Sequence, residues 1–190
     1  MSKPRTLGTA VNLAHSFVSR ALSAGEAAVD ATAGNGNDTL FLAEIVGPLG
    51  QVYAFDIQEE ALANTKRKLG EAGELAQTRL IKEGHQNLAQ YVVGPVAVLM
   101  FNLGYLPKGN HELTTRPETT CPAIQAGLNL LKPGGIISIV IYPGHPGGEL
   151  EAAQVESLLQ QLNQAQFSVL KLDFINRNES SYLILVEKEH

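Results

Sequence analysis

The sequence predicts an α/β protein: a doubly wound, mostly parallel sheet with helices on both faces and an antiparallel hairpin at its C-terminal end. Three observations predict it. Short apolar runs alternate with amphipathic stretches along the chain, the pattern of repeated strand–helix units. The run Val96–Phe101 is apolar throughout, as central parallel strands are. The last two strand-like stretches are joined by a polar turn at 176–180, a hairpin signal.

The elements follow in order. Residues 8–23 place Val11, Ala14, Phe17, Val18, Ala21 and Leu22 at helical spacing, and this helix carries His15. A strand over 27–31 ends at an acid, Asp30, and a Gly34-Asn35-Gly36 loop leads into a helix over 38–46, which Asp38 or Thr39 can cap. Gly47-Pro48-Leu49-Gly50 breaks that helix. A strand over 51–56 ends at a second acid, Asp56, before a helix over 58–72. A third strand spans 77–82, and a polar loop, His85-Gln86-Asn87, opens a short helical turn. The apolar strand 96–101 runs into Asn102-Leu103-Gly104-Tyr105, and a long loop covers 106–116. A helix over 117–131, a turn at 131–135 and a strand over 136–141 come next. After the loop 142–148, a helix over 149–164 and strands over 167–175 and 181–188 complete the chain.

A length of 190 residues suits one domain with a full core, with residues 1–25 as an N-terminal helical extension. No apolar run approaches the length needed to cross a bilayer, and no secretory signal stands at the start. The one cysteine, Cys121, cannot form an internal disulfide, so a reduced cytoplasmic setting is expected. A net charge of −5 argues against broad, salt-driven nucleic-acid binding and leaves room for a local basic patch. Lys3, Arg5, Lys108 and Arg116 lie beside the expected site, where ordinary solvated charges are the simpler account. The histidines His15, His111 and His190 show no metal-ligand spacing, so no metal is expected.

In open parallel sheets, ligands sit beyond the C-terminal ends of the strands. The glycine loop after the first strand is the usual nucleotide turn. A dinucleotide site wants a third glycine where this chain has Thr39, and Asp30 would repel a pyrophosphate. The same acid suits a ligand with a sulfonium or ammonium group, as S-adenosylmethionine has. Asp56, twenty positions beyond Gly36, can accept both hydroxyls of an adenosine ribose. Asp30, Thr32, Gly34, Asn35, Gly36, Asn37, Asp38, Thr39, Asp56, Gln58, His85 and Asn102 make up the expected cofactor set. His85 is as well explained as a structural histidine.

Asn102-Leu103-Gly104-Tyr105 resembles the Asn/Asp-Pro-Pro-Tyr/Phe tetrapeptide of amino-methyltransferases, with Leu and Gly in place of the two prolines. An amine must point its lone pair at the methyl group, and the Asn102 carboxamide oxygen can hold an amine hydrogen in that orientation. Tyr105 can stack on a planar base. His145, in the Gly/Pro-rich loop after the fifth strand, is a candidate proton acceptor, as are His85 and Tyr105. Asn102, Tyr105 and His145 form the expected catalytic set.

The stretch Val29–Leu40, Phe101–His111, Leu131–Gly135 and Tyr142–Gly148 together resemble the small class I, Rossmann-like methyltransferases named ribosomal RNA methylases. The resemblance implies a seven-stranded sheet and S-adenosylmethionine as cofactor. It implies N-methylation of the aminomethyl group of the tRNA wobble nucleoside 5-aminomethyl-(2-thio)uridine, with the anticodon arm as partner and His111 on the substrate side. Alternatives are methylation of ribosomal RNA or of a small amine, a nicotinamide-dependent oxidoreductase and a non-catalytic nucleotide-binding module. The N-terminal helix could cover the cofactor or join two subunits in a homodimer.

Overall fold

The computed structural model describes residues 8–104, 114–177 and 181–190. Seven strands form one sheet: β1 (Ala27–Asp30), β2 (Gln51–Phe55), β3 (Thr78–Ile81), β4 (Val96–Leu103), β5 (Leu131–Ile141), β6 (Phe167–Leu172) and β7 (Tyr182–Lys188). Their order is β3-β2-β1-β4-β5-β7-β6. The first five are parallel, and β7 runs antiparallel between β5 and β6. This is the doubly wound sheet with a terminal hairpin that the sequence predicts.

Five helices cover the sheet: α1 (Ala10–Ala21), α2 (Asn37–Val46), α3 (Glu59–Ala72), α4 (Pro117–Leu130) and α5 (Gly148–Gln160). On one face, α1 and α2 bury Ala14, Val18, Leu42 and Val46 against Ala28, Val98, Met100 and Val140. On the other, α4 and α5 bury Ile124, Leu128, Val155 and Leu159 against Leu99, Phe101, Ile137 and Ile139. Alternate residues of β4 thus feed opposite layers, as a strand's period of two requires.

The first helix belongs to this fold. Ala10, Ala14, Val18 and Leu22 form a buried i, i+4 stripe, and α1 lies on β4, β5 and β7. Small side chains let the helix sit close to the sheet. Its apolar face is therefore used within its own chain.

Of the boundaries that differ from the sequence reading, α5 ends at Gln160 and β6 at Leu172, short of the expected 164 and 175, and two others share one reason. The expected turn at 131–135 is drawn into β5, because Leu131 pairs with Val96 across a register shift before Val98 pairs with Ile136. At the other end of the same ladder β4 runs on past Phe101, with Asn102 and Leu103 opposite Val140 and Ile141. Pairing to a neighbour sets both limits, and local composition does not report it.

Among the described residues, no helix is long and apolar enough to cross a membrane, and no group of three or more His, Cys, Asp or Glu is arranged to hold a metal.

Candidate active site

The sheet order turns at β1, which has β2 on one side and β4 on the other. A crevice opens beyond the strand ends at such a point. The chain leaves β1 at Asp30, β2 next to Asp56 and β4 past Asn102, so these three residues rim one crevice.

Asp30 is fully buried. Its Oδ1 accepts the Thr32 N–H at 3.1 Å and its Oδ2 accepts the Thr39 hydroxyl at 2.5 Å. The Thr32 hydroxyl in turn accepts the Asn102 N–H at 2.8 Å. Asp30 thus ties the end of β1, the start of α2 and the end of β4 together. Burial, then the neighbouring Asp38 charge, pushes its carboxyl up to about 7. It touches no solvent, so it cannot meet a ligand by direct contact.

Asp56 closes the glycine loop. Its two oxygens accept the backbone N–H groups of Gly34 and Gln58, each at 2.9 Å. A carboxylate has about four acceptor sites, so the backbone donors at Asp56 leave acceptor capacity over. Burial raises its pKa despite these bonds. Thr65 of α3 donates to the Gly34 carbonyl at 3.1 Å. Gly36 sits in left-handed backbone at φ 74°, and a Cβ there would lie 2.8 Å from the Thr65 Cα, so only glycine fits. Asn35 accepts from Asn64, and Asn37 from Lys68; both side chains are tied to α3.

The expected cap of α2 is corrected. Gly36 is the N-cap, and no side chain caps the helix. Thr39 turns to Asp30, and Asp38 turns into the crevice. Asp38 is 6 % exposed. Its Oδ1 lies 2.7 Å from Nε2 of His15, and its Oδ2 accepts the side-chain amide of Asn102. An ionised carboxylate only accepts hydrogen bonds. The NH₂ of Asn102 therefore faces Asp38, and that bond leaves its carboxamide oxygen uncommitted to Asp38. The His15 ring stacks flat on Phe41, with centroids 3.9 Å apart and planes 3° from parallel.

Gly104 follows Asn102 with φ 151°, a conformation closed to proline. The chain therefore leaves β4 by a path that the Pro-Pro form of the tetrapeptide could not take. Its N–H donates to the Thr115 hydroxyl and its carbonyl accepts the Thr115 N–H, both at 2.9 Å. The Thr115 hydroxyl passes on to Glu151 Oε2 at 2.7 Å, and Thr120 donates to Glu151 Oε1 at 2.6 Å. Glu151 is 1 % exposed and holds α4, α5 and the exit of β4 in one network.

His85 lies in the core beside this network. Its ring is edge-on to Phe101 at 5.8 Å, and Nδ1–H points at the Ala31 carbonyl, 3.2 Å away. Burial lowers its pKa, so the neutral ring is favoured. Its surroundings are those of a structural histidine. His145 stands at the β4 exit; a Cβ on Gly104 would lie 3.8 Å from its Nε2. Tyr142 is half-exposed beside it, and its phenol is raised by burial and then by the charge of Asp38. Tyr105, Lys108 and His111 fall outside the described residues, as do Lys3 and Arg5.

Residues 52–188 match the family model described as "Putative rRNA methylase". The chain belongs to this family. It is an S-adenosylmethionine-dependent methyltransferase. It is 37% identical over 189 residues to the chloroplastic tRNA (mnm(5)s(2)U34)-methyltransferase of Arabidopsis thaliana, covering 94% of this chain and 69% of that protein. A Clostridium thermocellum protein described as a "putative rRNA-methylase" shares its fold at TM-score 0.95 and 44% identity, over 97% of this chain and 100% of that one. A Streptococcus mutans protein described as "a putative methyltransferase", solved in complex with SAH, superposes at TM-score 0.87 with 37% identity over 99% of both chains. The family match begins inside β2, so β1, the glycine loop, Asp38 and His15 lie before it.

Sequence reasoning missed His15 and Tyr142 near this methyltransferase's crevice, and Thr120 and Glu151 in the buried network that supports the exit of β4. Glu151 left a signal, since it stands on the buried stripe Glu151, Val155, Leu159; an acid on an apolar stripe asks for a buried partner. His15 borders the stripe of α1, but only the fold brings it to Asp38.

Proposed function

We propose that this methyltransferase transfers a methyl group to the primary amine of 5-aminomethyl-(2-thio)uridine at the wobble position of tRNA. The orientation of Asn102 carries the reading. Its NH₂ is committed to Asp38, which leaves the carboxamide oxygen to accept an amine hydrogen and aim the nitrogen lone pair. The buried acids Asp30 and Asp38 favour cations at the crevice, and the acceptor amine is a cation until it gives up a proton. When bound, S-adenosylmethionine supplies an electrophilic methyl group; Asp56 and the Gly34–Gly36 loop would hold its nucleoside half.

The likeness to a tRNA (mnm(5)s(2)U34)-methyltransferase supports the same substrate. The wobble base lies in a single-stranded loop, where a base can be presented without opening a duplex. The partner is the anticodon arm. The place of action is the cytoplasm, which suits the free thiol of Cys121.

Nucleoside mass spectrometry of tRNA from a strain lacking this gene tests the proposal. Accumulated 5-aminomethyl uridines with loss of the methylaminomethyl form are expected. An unchanged nucleoside profile refutes the assignment.

A further inference from the structure

We infer that His15, brought by α1, is a positioning residue for methyl transfer: it fixes Asp38, and Asp38 fixes the carboxamide of Asn102. The inference rests on the amine-transfer reading above and extends it to a helix outside the family match.

Two contacts hold the His15 ring. Stacking on Phe41, at 3.9 Å and 3°, fixes its plane. The bond to Asp38, at 2.7 Å, fixes its rotation about that plane, with Nε2 carrying the hydrogen because the carboxylate can only accept. Phe41 stands three residues after Asp38 on the same face of α2, so one helical turn supplies both contacts. Asp38 has no second job in its own helix, since α2 has no side-chain cap. Its two oxygens are divided between α1 and β4. A buried carboxylate with one oxygen released would turn toward water, and the Asn102 amide would lose its reason to face one way.

His15 is 29 % exposed at its side chain, and the one polar partner of its ring among the described residues is Asp38. It therefore acts through Asp38. A purely structural tie between α1 and α2 is the competing account. It is weakened by the buried stripe Ala10, Ala14, Val18 and Leu22, which already holds α1 on the sheet.

The test uses the full chain, S-adenosylmethionine and an anticodon stem-loop bearing 5-aminomethyluridine at the wobble position. His15→Ala is expected to lower kcat roughly 10-fold while KM for both substrates stays within about 2-fold. His15→Gln, whose amide can still donate to Asp38, is expected to recover most of the loss. In an Asn102→Ala background, His15→Ala should cost less than about 2-fold, because the group it positions is gone. Equal losses in both backgrounds, or a wild-type kcat in His15→Ala, overturn the inference. An inactive wild-type enzyme instead fails the substrate assignment. NMR of the free enzyme then reads the link without any substrate. The Asn102 side-chain amide signals should move in His15→Ala and return in His15→Gln; signals that stay in place overturn the inference.

Discussion

Gly34 donates its backbone N–H to the carboxylate of Asp56 at 2.9 Å, across 22 residues of sequence. The bond joins the loop after β1 to the end of β2. A residue expected to bind ribose thus also shapes the loop expected to hold the rest of the cofactor.

Asp56→Ala should therefore remove two things at once. Hydrogen bonds to a charged group are worth about 1.5–3 kcal/mol each, so a fall of roughly 100-fold or more in S-adenosylmethionine affinity is expected. Isothermal titration measures it. Affinity within a few-fold of wild type would remove Asp56 from the cofactor site.

Asn102→Ala should separate binding from turnover. Its backbone N–H keeps the bond to Thr32, so the loop survives. Cofactor affinity should stay near wild type while kcat falls roughly 100-fold, the cost of a misplaced acceptor. Paired titration and single-turnover measurements check this, and normal turnover refutes the orienting role.

Asp30 makes the free protein sensitive to pH. Its carboxyl holds a proton up to about pH 7 in the folded state, against 3.8 as the ordinary value. Between those limits the native state binds more protons than the unfolded chain, so stability falls as pH rises from about 4 to about 7. Asp30→Asn should flatten this slope in urea melts, because Asn can still accept from Thr32 while the Thr39 hydroxyl turns to accept its NH₂. A slope unchanged in Asp30→Asn means another group is responsible.

The same titration should sort ligands by charge. A sulfonium favours ionised Asp30, while the neutral sulfur of SAH does not. The ratio of S-adenosylmethionine to SAH affinity should rise by about 3-fold or more between pH 6 and pH 8. The ratio should be flat in Asp30→Asn. A ratio independent of pH in the wild type refutes the field argument.

Glu151 should behave as a structural acid. Glu151→Ala takes the acceptor from the buried Thr120 hydroxyl and the half-buried Thr115 hydroxyl, at a cost of about 1–3 kcal/mol for the buried group alone. A fall in Tm of roughly 5–10 °C is expected, with no specific loss of cofactor affinity per folded molecule. Differential scanning calorimetry reads the first part and titration the second.

The strand–helix alternation was legible because apolar periodicity is a local property. Asp30, Asp56 and Asn102 were legible for a related reason: each stands at the end of an apolar run, and parallel strands all end on the same side. The partners of these residues were not. Asp38 looked like a helix cap, since capping is the commonest use of an acid at that point of a chain. Its true partners, His15 and Asn102, lie 23 and 64 residues away, and no local rule spans such distances. The exit from β4 was half legible. The sequence flagged the missing prolines, while the φ of Gly104 had to be seen to know what replaced them.

The placement of α1 has a consequence for the order in which the enzyme comes into being. It precedes every described strand in the sequence, yet it lies on β4, β5 and β7, and β7 follows all the other described strands. During synthesis α1 must wait for β7 before its landing surface is complete. A chain stopped before β7 lacks Leu183 and Leu185, which share a core with Ala14 and Val18. Such a fragment carries the glycine loop, all three crevice acids and Asn102, but not the full seat of the helix that brings His15. Completion of the catalytic geometry is therefore coupled to the synthesis of β7.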